Sequence, residues 1–236
     1  MIDAHFKLVT EMQPSEYHYM SAQMDCNVEK NRESSLIPLE NSRIPLAPKP
    51  GVEGSDYINA SWLSGHEKLK EFIITQHPTL NVKEDFWRML WDHNAQTVVL
   101  LSSIDEDQGF PTFWPLREKD FELETFRVRF VDEAVHEGHS TLDFVVSSQH
   151  DDYELAVRII HCPDWSHSIP KVSKNFNVLK LVQDWHLEYQ DGPLVVVDKY
   201  VKNVSFPKTR DFDEFFFPLQ KRWNRSCDLL CFDDFV

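Results

Sequence analysis

The stretch DGPLVVVDKY, residues 191–200, constrains the fold of this chain more than any other. Four consecutive apolar residues, Leu194 to Val197, follow a Gly-Pro pair and end at the charged residues Asp198 and Lys199. An apolar run of this length, rich in β-branched residues and bounded by turn residues, predicts a fully buried strand. The carboxylate at the tip of such a strand either belongs to a site or has no chemical role.

Length and charge limit the class of protein. With 236 residues, 42% of them hydrophobic, the chain is long enough for one sizeable α/β domain or at most two small ones. The formal net charge is −15. This balance argues against a nucleic-acid partner, because contacts to phosphate require clustered Lys and Arg.

The cysteines and the apolar segments exclude further classes. Cys26, Cys162, Cys227 and Cys231 do not have the spacing of a zinc site, so we expect no metal, no cofactor and a reduced intracellular chain. His161 and Cys162 are adjacent on a predicted strand and would point to opposite faces, which argues against a catalytic pair. No apolar run is long enough to span a bilayer, so we expect no direct membrane insertion.

Hydrophobic patterns predict a mixed sheet with helices. The runs DYINASWL, EFIITQ and TVVLLS read as strands, and VKEDFWRMLWDHNA reads as a helix with one buried stripe. Period-two alternation then predicts three antiparallel strands around Phe126, Leu142 and Leu155. A second long helix over SKNFNVLKLVQDWHLEY leads into Leu194. We predict an α/β (α+β) fold built on one mixed, twisted sheet.

Five segments, in order along the chain, resemble a known family. They read KNRESSLIPLENSRI, DYINASWLSGH, FIITQHPTLNVKEDFWRMLWDHNAQTVVLL, FWP and DGPLVVVD. From Tyr17 to Tyr200 the chain thus resembles the protein tyrosine phosphatases. The segments EFIITQHP, DFWRMLWDHNAQ and DDYELAVRIIHCPDW are most similar to the second, membrane-distal domain of receptor-type enzymes of the gamma/zeta group. The resemblance implies a highly twisted mixed sheet flanked by helices, and a domain that is commonly degenerate.

The resemblance also implies a specific chemistry at the end of the strand. In the family, a thiolate at this strand end attacks phosphotyrosine, and a glycine-rich loop at a helix N-terminus holds the phosphate together with an Arg. Aligned on GPLVVVDKY, Val197 stands at the family's His position, Asp198 at the nucleophile, and Val204 at the Arg. The resemblance therefore predicts that the nucleophile and the phosphate-binding Arg are both absent.

The general acid and the substrate loop depart from the family pattern as well. Within HCPDWSHSIP, His167 stands where the family has its acidic Asp; a rival register places Asp164 there instead but loses the Trp. Glu33 stands where an aromatic residue stacks on the substrate ring, and Ser35 where an Asp holds the substrate backbone. An acidic side chain beside the entrance disfavours phosphotyrosine.

The sequence after Tyr200 predicts a change of structure. Residues 201–236 contain no glycine, whereas the family's phosphate loop uses glycine for close approach of its backbone. Pro207 and Pro218 interrupt any helix that spans them. We expect residues 1–200 to form an incomplete tyrosine-phosphatase-like domain without the family's C-terminal helices, and residues 201–236 to form a divergent, irregular tail.

Three functions remain open at this point. The first is a catalytically inactive phosphatase-like module of a receptor, on the cytoplasmic side, that binds or regulates a protein partner such as an active tyrosine phosphatase domain. The second is a working phosphatase that hydrolyses phosphotyrosine. The third is a non-functional truncated product. A parallel sheet needs helices on both faces, and we expect this chain to lack the family's C-terminal helices.

Overall fold

In the computed structural model, the described part of the chain is built around a nine-stranded mixed sheet. The described residues are 18–64, 70–148, 152–163, 165, 180–182, 184–185 and 192–199. The predicted irregular tail and the predicted absence of C-terminal helices concern residues outside these ranges. Within them, the predicted α/β class with a large twisted mixed sheet is confirmed.

Two α-helices have both of their ends within the described part of the chain. The helices are α1, Asp25–Val28, and α2, Lys83–Asp92. The strands are β1 Arg43–Pro45, β2 Tyr57–Leu63, β3 Phe72–Gln76, β4 Thr97–Leu100, β5 Phe121–Glu122, β6 Phe126–His136, β7 His139–Ser148, β8 Glu154–His161 and β9 Leu194–Asp198.

The strand order is β1-β2-β3-β9-β4-β8-β7-β6-β5. The four central strands β3, β9, β4 and β8 are parallel, and the strands on either side pair in antiparallel fashion. The three runs with period-two alternation correspond to β6, β7 and β8, and their predicted antiparallel pairing is confirmed. Strand β9 therefore lies near the middle of the sheet, with a parallel neighbour on each side.

Strand β9 is buried on both faces because alternate residues contribute to two separate cores. Val195 and Val197 belong to the larger core, whereas Leu194 and Val196 belong to a smaller one. Full burial of such side chains stabilises the fold by about 1.5–3 kcal/mol each. Since successive side chains of a strand point to opposite faces, Asp198 continues the face of the smaller core.

Helix α2 lies against the larger core. Phe86, Trp87 and Leu90 are fully buried there, and the indole N–H of Trp87 donates to the main-chain oxygen of Phe113 at 2.9 Å. The predicted buried stripe of this helix is thus confirmed. Of the second predicted helix, residues 180–182 and 184–185 are helical, and the remainder lies outside the described residues.

Strands β6 and β7 form a long hairpin at one side of the sheet. Within the described residues, β5 pairs with Arg127 and Val128 of β6 and does not extend further along it. A β-bulge between Phe130 and Asp132 interrupts the pairing of β6 with β7. Such a bulge bends the strand and increases its local twist.

Gly192 brings the start of β9 against the end of α2. A Cβ atom on residue 192 would lie 1.9 Å from the main-chain oxygen of Asn94 and 2.7 Å from its carbonyl carbon. Asn94 follows the helix with a positive φ of 51°, a conformation that commonly ends helices. Because both sides of this contact are backbone, a side chain on residue 192 cannot be accommodated by a rotamer change.

We predict that Gly192→Ala destabilises the protein by about 3 kcal/mol, because the new methyl group forces β9 and the end of α2 apart. Gly51→Ala is the matched control: Gly51 has a φ of +76° but open space around it, so only backbone strain of about 1 kcal/mol is expected. Urea unfolding of both variants measures the difference. Equal losses in the two variants would contradict the close contact.

Candidate functional site

The carboxyl ends of the four parallel strands meet at one edge of the sheet. Gln76 of β3 lies opposite Asp198 of β9. Leu100 of β4 lies opposite Val197 of β9 on one side and His161 of β8 on the other. In open α/β sheets, ligands bind outside the carboxyl ends of the strands. This edge, formed by residues 76–77, 101–102, 161–162 and 198–199, is the candidate site.

Asp198 lies at the tip of β9, as predicted. It is half-buried, and its main-chain oxygen accepts a hydrogen bond from the N–H of His77 at 2.8 Å. Its side-chain Oδ1 accepts one from the N–H of Lys199 at 2.6 Å. The carboxylate thus turns back onto its own backbone, which is the usual behaviour of Asp where a chain changes direction.

Two cations next to Asp198 contact the same aromatic ring. The Nζ atom of Lys199 lies 4.5 Å from the centroid of Phe110, and Cζ of Arg32 lies 4.7 Å from it. Arg32 also donates from Nε to the main-chain oxygen of His77 and from Nη2 to that of Pro78. These two bonds occupy the Nε–Nη2 edge of the guanidinium, which is one of the edges that could otherwise bind two oxygens of a phosphate group.

The loop that carries Glu33 and Ser35 is attached to the same edge. The N–H of Arg32 donates to Oε1 of Gln76 at 2.9 Å, and Nε2 of Gln76 donates to the main-chain oxygen of Lys30 at 2.7 Å. Glu33 and Ser35 are exposed, and the Ser35 hydroxyl donates to the Glu33 carboxylate at 3.2 Å. The structure therefore brings three predicted positions, Asp198, Glu33 and Ser35, to one side of the molecule.

Neighbouring polar residues bond to one another and to the main chain. The Tyr57 hydroxyl donates to Oδ1 of Asn31 at 2.6 Å, and Nδ2 of Asn59 donates to the same oxygen at 2.9 Å. Asn31 in turn donates from Nδ2 to the main-chain oxygen of Ala22 at 3.2 Å. These bonds connect β2 to the chain before β1, and all of them are internal to the protein.

A hydroxyl–imidazole pair lies beneath the site. His77 Nε2 lies 2.8 Å from the main-chain oxygen of Pro111, which can only accept, so Nε2 carries the proton. His77 Nδ1 then accepts a hydrogen bond from the Ser102 hydroxyl at 2.9 Å. This is the arrangement of an activated serine nucleophile. However, Ser102 is 1% exposed, so a substrate cannot reach the hydroxyl and the pair is structural.

Cys162 is not a substitute nucleophile. Its side chain is 2% exposed and belongs to the smaller core, and burial raises the pKa of its thiol to about 12. A buried thiol with a raised pKa is inert, because the thiolate is the reactive form. His161 instead packs near Trp114 and lies 2.9 Å through Nε2 from the main-chain oxygen of Ser102. The side chains of His161 and Cys162 therefore lie in different surroundings, as their adjacent positions predict.

Three predicted site positions lie outside the described residues: Val204, His167 and Asp164. Among the residues that the structure does describe, no three His, Cys, Asp or Glu side chains are close enough together to share a metal ion. No helix in the same part of the chain has the length and apolar character needed to cross a bilayer.

Phe110 is the site residue that sequence patterns did not reveal. It lies between β4 and β5, and its ring is 5% exposed and contacts His77 edge-on at 5.5 Å. The residues around it show neither strand nor helix periodicity, and no local signal indicates that two distant cations share this ring. Lys199 and Arg32 are far apart in sequence, so only the tertiary structure brings them together.

We predict that the stability of the protein falls as pH decreases from about 6.5 to 4. Burial lowers the pKa of His77 to about 4, and the nearby charges of Arg32, His161 and Lys199 contribute in the same direction. In this range the unfolded chain takes up a proton at His77 that the folded protein does not. Unfolding therefore becomes more favourable by up to about 1.4 kcal/mol per pH unit.

The pH effect is checked by urea unfolding at several pH values. In His77→Gln the dependence on pH should become shallower, since the amide does not titrate. Ser102→Ala serves as the control, because it removes the hydroxyl but keeps the imidazole and should retain the slope. An unchanged slope in His77→Gln would show that His77 is not the group responsible.

The chain resembles known proteins over most of its length. The sequence profile described as "Protein-tyrosine phosphatase" matches residues 27–200. A putative receptor-type tyrosine-protein phosphatase, mosPTP-1 of Culex quinquefasciatus, is 48% identical over 199 residues, which cover 84% of this chain and 13% of that protein. Tyrosine-protein phosphatase 99A of Drosophila melanogaster is 44% identical over 202 residues, covering 84% of this chain and 15% of that protein.

A human relative has a similar extent of match. Receptor-type tyrosine-protein phosphatase zeta of Homo sapiens is 37% identical over 207 residues, which cover 84% of this chain and 9% of that protein. The chain thus spans only 9–15% of the length of these three relatives. The predicted resemblance to receptor-type tyrosine phosphatases is confirmed by these matches. Since the family profile covers well over half of the residues, this chain belongs to the protein-tyrosine phosphatase family.

Proposed function

We propose that this chain is a catalytically inactive phosphatase-like module of a receptor-type tyrosine phosphatase and acts through protein interaction. The observation that carries the proposal is the carboxylate of Asp198 at the tip of β9, where the family has its nucleophilic thiolate. The hydrogen bond from the N–H of Lys199 holds this carboxylate against its own backbone.

Electrostatics supports the absence of phosphate binding at Asp198. A unit of like charge 4 Å away costs about 4 kcal/mol at the effective dielectric constant of a protein surface. A thiolate in the family tolerates such proximity because glycine-loop N–H groups and an Arg surround it. Here Val204 occupies the Arg position and residues 201–236 contain no glycine. Nε and Nη2 of Arg32 already donate to main-chain oxygens.

The two described cysteines do not offer a replacement. Cys162 is buried in the smaller core. Cys26 is exposed but lies on the short helix α1 and not at the carboxyl end of a parallel strand. The exposed carboxylate of Glu33 adds negative charge where a phosphotyrosine ring would enter. Each of these features disfavours turnover of a phosphorylated substrate.

The proposal extends to domain limits, partner and location. Residues 1–200 form the phosphatase-like unit, and the glycine-free segment 201–236 takes the place of the family's phosphate loop and C-terminal helices. The partner is another protein, for which an active tyrosine phosphatase domain is the first candidate. The names of the relatives, which are receptor-type phosphatases, support a place on the cytoplasmic side of a receptor.

We predict that the purified full chain does not hydrolyse an aryl phosphate or a phosphotyrosine peptide above the buffer rate. The assay includes an active tyrosine phosphatase domain as positive control. It is run with and without Mg²⁺, because a carboxylate can also act as a nucleophile and a metal ion would assist its attack on a phosphate group. A cooperative urea transition of the same sample shows that the chain is folded, and its absence would favour a non-functional product.

Variants decide what any observed activity would mean. Turnover that Cys162→Ser or Cys26→Ser abolishes would show that a thiol nucleophile exists and that the assignment of Asp198 is misplaced. Turnover that Asp198→Asn abolishes would show that the carboxylate itself attacks phosphorus. Either result would overturn the proposal that the module is inactive.

A second prediction is that Asp198→Cys does not restore catalysis. Without a glycine-rich anion loop and a bidentate Arg, the new thiol should keep a pKa near the ordinary value of about 8.5. The pH dependence of iodoacetamide alkylation, measured in a background with the other cysteines replaced by Ser, gives this pKa. A thiol pKa below about 6.5, or a covalent phosphocysteine trapped from substrate, would show that a functional phosphate loop is present.

A further inference from the structure

Tyr153 differs from the other described tyrosines in its accessibility. Its side chain is 53% exposed, whereas Tyr57 is completely buried and Tyr19 is half-buried. Burial raises the pKa of Tyr57, and its hydroxyl is committed to Asn31. A macromolecule that acts on tyrosine side chains of the described, folded part of this chain therefore meets Tyr153 first.

The surroundings of Tyr153 hold its ring at the surface. The hydroxyl donates to Oδ1 of Asn94 at 3.0 Å, and the ring meets that of Trp91 edge-on at 5.5 Å. Asn94 is itself exposed. Tyr153 directly precedes β8, whose pairing with β7 begins at Glu154, so its main chain lies outside the strand ladder.

The residues on either side of Tyr153 are acidic. The sequence reads Asp151-Asp152-Tyr153-Glu154, and Asp152 and Glu154 are exposed. A run of carboxylates around an acceptor tyrosine complements a protein that presents basic residues at its substrate groove, since opposite charges steer and orient the encounter. Exposure, position outside the ladder and acidic flanks together describe a substrate of a protein tyrosine kinase.

We propose that Tyr153 is a phosphorylation site for an ATP-dependent protein tyrosine kinase. The γ-phosphoryl group of ATP is transferred to Oη of Tyr153, the tyrosine O–H proton is released, and ADP leaves. The phosphate adds about −1.5 to −2 charges at neutral pH. The proposal does not depend on whether the chain is itself catalytic.

Phosphorylation changes the contact with α2. The modified oxygen no longer carries a proton, so it cannot donate to Oδ1 of Asn94. The new dianion also lies beside Asp152 and Glu154 and near the C-terminal end of α2, where the helix dipole is negative. Like charges and the lost hydrogen bond both disfavour the docked position of Tyr153, which therefore leaves Asn94 and Trp91.

The released contact adjoins the start of β9. The main-chain oxygen of Asn94 is the atom that a Cβ on Gly192 would meet at 1.9 Å, so the residue that accepts from Tyr153 also packs closely against the entry to the central strand. Phosphorylation of Tyr153 is thus expected to weaken the anchoring of β9 and to lower the stability of the sheet.

The experiment treats the full chain with a broad-specificity protein tyrosine kinase and ATP, maps the phosphotyrosines by mass spectrometry, and measures urea unfolding of the modified protein. We expect Tyr153 to be modified faster than Tyr57, and the unfolding midpoint to fall by about 0.5 M. High salt should reduce this shift, because part of it is repulsion between exposed charges. Tyr153→Phe, which retains the ring, should lose the shift after the same treatment.

Asn94→Gly provides a matched comparison. It removes the acceptor but suits the positive φ of 51°, so it should lower the midpoint without the salt dependence. Modification of Tyr153 only in urea-unfolded chain would show that the folded protein is not a substrate. This first result would overturn the assignment of Tyr153 as a kinase substrate. Modification of the folded chain with an unchanged midpoint would overturn the expected weakening of β9 through Asn94.

Discussion

Strand β9 joins the two halves of the sheet, and every feature of the candidate site depends on this join. Among the described residues, β3 and β4 do not pair with each other; each pairs with β9 instead. The segment that connects them comes late in the chain, so a long loop must close before the sheet is complete, at a cost in entropy. Complete burial of Leu194 to Val197 offsets that cost, which explains why the run contains no polar residue before Asp198.

At the tip of this strand the polar groups satisfy one another. The Asp198 carboxylate accepts from its own backbone, Arg32 donates to carbonyl groups, and His77 is bonded at both ring nitrogens. A catalytic site instead keeps preorganised donors directed at the position where charge develops. The edge has the location of an active site in an α/β sheet, and the bonds named here are internal to the protein.

The sequence predicts much of the fold because the spacing of apolar residues indicates which side chains of an element are buried. The alternation in β6, β7 and β8, the stripe of α2 and the apolar run of β9 each identify their element without tertiary information. Strand order is less accessible, since no local pattern states that β9 inserts between β3 and β4. At the site, Asp198, Glu33 and Ser35 follow from alignment to family motifs. The pairing of Lys199 and Arg32 on Phe110 does not, because it joins three segments that are distant in sequence.

The bulge in β6 has a consequence for solubility. Beyond Val128, the outer side of β6 has no neighbouring strand among the described residues, and its exposed face includes Val131 and Val135. A long, regular strand in that position would be a template on which other chains could add. The irregularity between Phe130 and Asp132 breaks the spacing of backbone donors and acceptors, so an incoming strand cannot stay in register along it. Loss of one residue there would straighten the ribbon and favour fibrous assembly.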